Sequence, residues 1–96
     1  MTIHLTENHF HPHLNTRMKQ RGITRTEIEK TLNTGHDAPD AKPGTIGKVK
    51  TFAFEGEWEG KYYKEKQVIV YYKQVADNII LLTAIAKYGD QFSREQ

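Results

Sequence analysis

The sequence predicts an α+β domain, ordered β-α-α and then a three-stranded antiparallel meander, with both helices packed on one sheet face. Three observations predict it. Residues 9–35 carry apolar positions three and four apart between helix start and stop signals. Residues 36–47, H-D-A-P-D-A-K-P-G-T-I-G, break that pattern with two prolines and two glycines and read as a loop. Beyond the loop come runs rich in β-branched and aromatic residues, as strands require.

Thr2 to Leu5 reads as a short first strand with Ile3 and Leu5 on one face. The first helix is expected from about residue 9 or 12 to Gln20, with Phe10, Leu14 and Met18 as its apolar stripe. Pro12 suits the first turn, where its missing N–H costs nothing, and Gly22 ends the helix. Thr24 opens T-R-T-E, a capping box in which Glu27 reaches back to the cap. The second helix runs to about Asn33, buries Ile28 and Leu32, and meets a left-handed stop at Gly35.

Among the strands, Val49 to Phe54 alternates weakly, and Gln67 to Lys73 is strongly β-forming. Asn78 to Ala86 is apolar on both faces, which predicts a central position in the sheet. V-A-D-N before it is a hairpin turn, with Asp77 and Asn78 tolerant of left-handed geometry. The segment E-G-E-W-E-G-K-Y-Y-K-E-K is either a long loop or an extended hairpin tip. Tyr62, Tyr63, Tyr71 and Tyr72 read as core or sheet-surface aromatics, and Ser93 to Gln96 as a frayed tail. Residues 1–96 form a single domain with room for one modest core.

Bulk properties exclude some classes. There are no cysteines, hence no disulfide or thiolate metal site, and no apolar run approaches the ~20 residues of a membrane span. No basic leader precedes a long apolar segment, so a cytoplasmic protein is expected. Net charge is only +2 and the pI is near 8.9. All five histidines lie in the first 36 residues, which gives the amino-terminal half a mild preference for an anionic partner.

The helix pattern concentrates chemistry. His9, His13, Arg17 and Arg21 are spaced four apart, so on a continuous helix they form one ridge of imidazole and guanidinium groups. Such a ridge can hold a phosphate and move a proton, and an ordinary solvated helix face is the alternative. Two rival motifs are weaker. His9-x-His11-x-His13 would be a metal site on a strand, but Pro12 and the helical pattern oppose a strand. Helix, R-G-I-T turn and helix look like a DNA-reading helix-turn-helix, yet R-T-E-I-E-K-T-L-N carries no net positive charge.

The stretch H-L-N-T-R-M-K-Q-R-G-I-T-R-T-E-I resembles the H-x-x-x-R-x-x-x-R-G-I-[ST]-x-x-E-[IV] signature of a widespread, uncharacterised bacterial domain family. That family is thought to share the fold of the RelE/ParE and BrnT toxins, used by metal-independent ribonucleases. Residues 67–88 are similar to the last hairpin of those proteins, which ends in a strand with a mid-strand Thr or Ser.

The resemblance implies an endoribonuclease toxin, without cofactor or metal, that cuts RNA by 2′-hydroxyl attack and is restrained by a protein antitoxin. The RNA could be ribosome-associated, and the protein a monomer or small homo-oligomer. His13 is the expected base, because imidazole titrates near neutrality, and Arg17 the phosphate clamp. Thr83 and Lys87 are expected to complete the catalytic set from the last strand. His9, Arg21, Lys48, Lys50 and Tyr88 are the expected nucleic-acid contacts, Tyr88 by stacking a base. A non-catalytic nucleic-acid or protein-binding module of the same fold is the alternative.

Overall fold

A computed structural model describes residues 3–92. Two helices, α1 (Pro12–Arg21) and α2 (Arg25–Thr34), precede four strands: β1 (His36–Asp37), β2 (Ile46–Trp58), β3 (Lys61–Val75) and β4 (Asn78–Gly89). The strands form one antiparallel sheet in the order β1-β2-β3-β4. α1 lies over β4, and α2 over β2 and β3. The α+β class and the helix-on-sheet layering agree with the sequence.

The expected first strand does not form. Thr2 lies outside the described residues, as does the expected frayed tail, Ser93 to Gln96. Residues 3–6 run irregularly along α2, whose side chains satisfy their main chain in place of a strand partner. Asn33 Oδ1 accepts from Ile3 N at 2.6 Å, Asn33 Nδ2 donates to Ile3 O at 2.9 Å, and Glu29 accepts from Leu5 N at 2.8 Å. The fourth strand comes instead from the expected loop, where His36 and Asp37 pair with Val49 and Lys48.

Each helix end has a local cause. His11 caps α1: its Nδ1 accepts from Leu14 N at 3.2 Å, and Pro12 follows as the first helical residue. Gly22 (φ 70°) stops α1 in left-handed geometry, with Ile23 N donating to Met18 O at 2.9 Å. α2 opens on the reciprocal box expected, in which Thr24 and Glu27 each accept from the other's backbone N–H. Gly35, expected to be left-handed, is extended at φ −80°. Glycine is needed there for closeness, since a Cβ would sit 2.5 Å from both Thr31 O and Val49 O.

The main core joins Phe10, Leu14 and Met18 to Ile23, Ile28 and Leu32, and to Val68, Val70, Tyr72, Leu81 and Ala84 of the sheet. A smaller cluster of Ala38, Val49 and Ile69, with Tyr71 and Ile85, occupies the opposite sheet face. This second cluster explains why β4 is apolar on both faces although it is an edge strand, not the central one expected. The cap and the last residue of α1 attend that edge strand: His11 Nε2 donates to Leu81 O at 3.1 Å and Arg21 Nη1 to Ala84 O at 2.8 Å.

The ambiguous segment between β2 and β3 is a hairpin tip. Glu59 (φ 52°) and Gly60 (φ 86°) form the two-residue turn, both in the left-handed region that such turns demand. A bulge between Ala53 and Gly56, with Glu55 at φ 44°, bends β2 before the tip. In the second hairpin Ala76 (φ 56°) takes the left-handed position, rather than Asp77 or Asn78.

Candidate nucleic-acid interface

α1 presents two uncommitted groups on its outer shoulder. His13 is exposed and Arg17, one turn on, is half-buried. The His13 ring lies parallel to that of His11 (6°), with centroids 6.3 Å apart. Among the described residues neither His13 nor Arg17 has a hydrogen bond or ion pair. The other helix arginines are engaged: Arg21 with Ala84 O, and Arg25 with Glu7 and the face of Phe10 at 4.5 Å. The Arg25 guanidinium holds the Glu7 carboxyl below its usual range.

The remaining expected site residues do not gather around this pair. His9 falls outside α1 in a short 3-10 turn (Glu7–His9), so the four-residue spacing does not align it with His13. Its Nδ1 instead accepts from Thr6 N at 2.9 Å. Thr83 and Lys87 pair with Tyr71 and Gln67 on the sheet face away from the helices, because beyond the bulge it is Ala84, Ala86 and Tyr88 that alternate toward α1. The catalytic set of His13, Arg17, Thr83 and Lys87 is therefore divided between two faces. A bulge at Leu82 produces this register, with Tyr71 opposite Thr83 and Tyr72 opposite Leu81.

Lys48 and Lys50 lie on β2, under α2 rather than α1. Lys48 Nζ contacts Asp37 at 2.6 Å and depresses that carboxyl, while Lys50 sits over the Phe52 ring at 5.7 Å. Tyr88 is not a free stacking platform. Its hydroxyl donates to Arg21 O at 2.8 Å and its ring stacks on Trp58 at 5.0 Å, with Phe54 edge-on at 5.2 Å. Burial first, then the charges of Glu27 and Glu59, push its pKa up to about 12.

A buried polar centre beneath the α1–α2 turn escaped the sequence reading. Lys66 is 3% exposed. Its ammonium donates to Gly22 O and to Glu27 Oε1 (2.8 Å), and lies 5.7 Å from the centroids of both Phe54 and Tyr88. Trp58 closes the same centre from the hairpin tip: a Cβ on Gly22 would sit 2.5 Å from its indole and 2.8 Å from the Tyr88 hydroxyl. Lys66 sits between Glu65 and Gln67 in a polar-looking stretch, so nothing local marks it as core. The one available hint was its alternation with Val68 and Val70.

The histidines serve separate ends. His11 caps α1, His9 caps its own turn, and His13 has no hydrogen bond among the described residues, so the three do not share a strand face. No group of three or more metal-type ligands occurs among the described residues. Nor is any described helix long and apolar enough to cross a membrane.

The chain belongs to the family described as "Domain of unknown function (DUF4258)", which matches residues 10–86, from Phe10 before α1 to Ala86 in β4. No curated protein and no solved structure matches it.

Proposed function

We propose that this member of the DUF4258 family binds RNA through the outer shoulder of α1. The observation that carries the reading is the pairing of Arg17, a guanidinium with no partner among the described residues, with an exposed imidazole, His13, one helical turn away. Guanidinium geometry suits a phosphate in bidentate fashion, and the imidazole can donate to a neighbouring phosphate oxygen or accept from a ribose hydroxyl. The mild net charge of +2 fits a local contact better than a broad electrostatic groove.

A second reading is favoured by the freedom of the His13 ring: a metal-independent endoribonuclease of toxin type, restrained by an antitoxin that covers this shoulder. His13 would take the 2′-hydroxyl proton as that oxygen attacks the phosphorus, and Arg17 would stabilise the phosphorane charge. The P–O5′ bond then breaks to leave a 2′,3′-cyclic phosphate. Since Thr83 and Lys87 lie on the other face, the departing 5′-oxygen would take its proton from water.

Incubation of the purified protein with single-stranded RNA in chelator distinguishes these. Retarded, intact RNA supports the binding module, and cyclic-phosphate fragments lost in His13→Ala support the toxin reading. Failure to bind or cut any RNA overturns both. Expression alone adds a cellular arm, because a toxin arrests growth and His13→Ala or Arg17→Ala relieves that arrest.

A further inference from the structure

Next to the His11–His13 stack, the amino-terminal segment and the β3–β4 hairpin border two open clefts of about 340 and 440 Å³ that share His9, Asn78 and Ile79. Both fall within the range of small-molecule sites, about 300–1,000 Å³. His11 lines the first cleft, which therefore begins one side chain from His13.

The cleft wall has a specific hydrogen-bonding character. His9 Nδ1 accepts from Thr6 N, so the neutral ring carries its proton on Nε2, a donor with no partner among the described residues. Asp77 supplies a carboxylate, and Gln74 and Asn78 supply amides, none of them bonded elsewhere among the described residues. Ile3 and Ile79 are half-buried and apolar. Half-buried apolar residues beside free hydrogen-bond donors and acceptors suit a flat heterocycle, such as an unpaired nucleobase splayed out of a single strand.

We infer that this cleft is a nucleobase subsite selective for guanine. The carboxylate decides the base. Guanine alone presents two adjacent donors, the ring N–H and the exocyclic amine, to a single carboxylate, and beside them an oxygen that can accept from His9 Nε2. The inference rests on the RNA reading, since a strand whose phosphate lies at His13 and Arg17 places a neighbouring base here.

Nucleotide titration followed by amide and imidazole NMR tests it, with GMP, AMP, CMP and UMP as probes. GMP is expected to shift His9, Asp77 and Asn78 and to bind about tenfold more tightly than the others, within what one bidentate base contact confers. Asp77→Asn, an exposed turn substitution, is expected to abolish the preference while leaving the spectrum folded. Equal weak binding of all four nucleotides, or a preference that survives Asp77→Asn, overturns the subsite. Guanine-selective shifts in a protein that binds no RNA would uphold the subsite and remove the RNA reading. Conversely, RNA binding without shifts in this cleft would keep the RNA reading and remove the subsite.

Discussion

The Lys66 ammonium lies 2.8 Å from the Glu27 carboxylate, and the same ammonium holds the carbonyl of Gly22. Glu27 is also the residue that completes the α2 capping box. One buried cation thus ties the glycine that ends α1 to the carboxylate that begins α2, and both to the middle of β3. The side chains are 4% and 20% exposed, so this pair is far from the weak surface kind.

Removing one partner should be costly and removing both less so. Glu27→Ala leaves Lys66 unpaired and is expected to lose about 2–4 kcal/mol, slightly below the fully buried range because Glu27 is partly solvated. Lys66→Ala should lose a similar amount. Urea unfolding of both singles and the double is expected to show strong non-additivity, and additive losses would mean the two residues act independently.

Gly22→Ala should destabilise for two separable reasons. Left-handed backbone costs a non-glycine residue about 1–2 kcal/mol, and displacing Trp58 adds an overpacking cost of about 1–3 kcal/mol. Trp58 is the sole tryptophan, so its fluorescence reports the displacement directly. Unchanged emission and stability would contradict the close packing of tip and turn.

Tyr88 should link stability to alkaline pH. Its folded pKa, about 12, lies above the ordinary value of 10. The neutral hydroxyl is therefore favoured by folding, and the stability it contributes is complete below pH 10 and lost as pH rises toward 12. Ultraviolet titration should show a tyrosine component near pH 12 that is absent in Tyr88→Phe, beside Tyr71, which burial and then the Asp40 carboxylate also shift upward. That variant also loses the bond to Arg21 O, at a cost of about 1 kcal/mol near neutrality.

Arg21→Ala and Arg17→Ala should separate structure from function. Arg21 bonds the main chain of the edge strand, so its loss is expected to cost about 1–2 kcal/mol. Arg17 has no partner among the described residues, and Arg17→Ala should stay within about 0.5 kcal/mol of the parent. Thermal melts of the two variants side by side check the contrast.

Much of this was legible in the sequence, and the failures share a cause. Local signals located both helices: Pro12 and Gly22 bounded α1, and Thr24 with Glu27 opened α2. Long-range geometry was not legible. A helix starting at residue 9 would have aligned His9 with His13, but the chain caps α1 with His11 and leaves His9 in a separate turn. Thr83 and Lys87 enter the expected site through the resemblance of the last strand, in which Thr83 interrupts an apolar run. A single bulge at Leu82 sets the face of every residue after it, and no local pattern announces a bulge. Lys66 was missed because its partners, Gly22 and Glu27, are 44 and 39 residues away in sequence. The R-G-I-T-x-x-E stretch, read first for its chemistry, thus serves mainly to build a socket for that lysine. The ridge narrows to His13 and Arg17.

The most direct test of that pair is the salt dependence of RNA affinity for wild type and Arg17→Ala. If Arg17 holds a phosphate, the variant binds more weakly at low salt, and its slope of log affinity against log salt is shallower by about 0.7, the share of one single-strand phosphate contact. Equal affinities and equal slopes would contradict the account, and would return the shoulder of α1 to an ordinary solvated helix face.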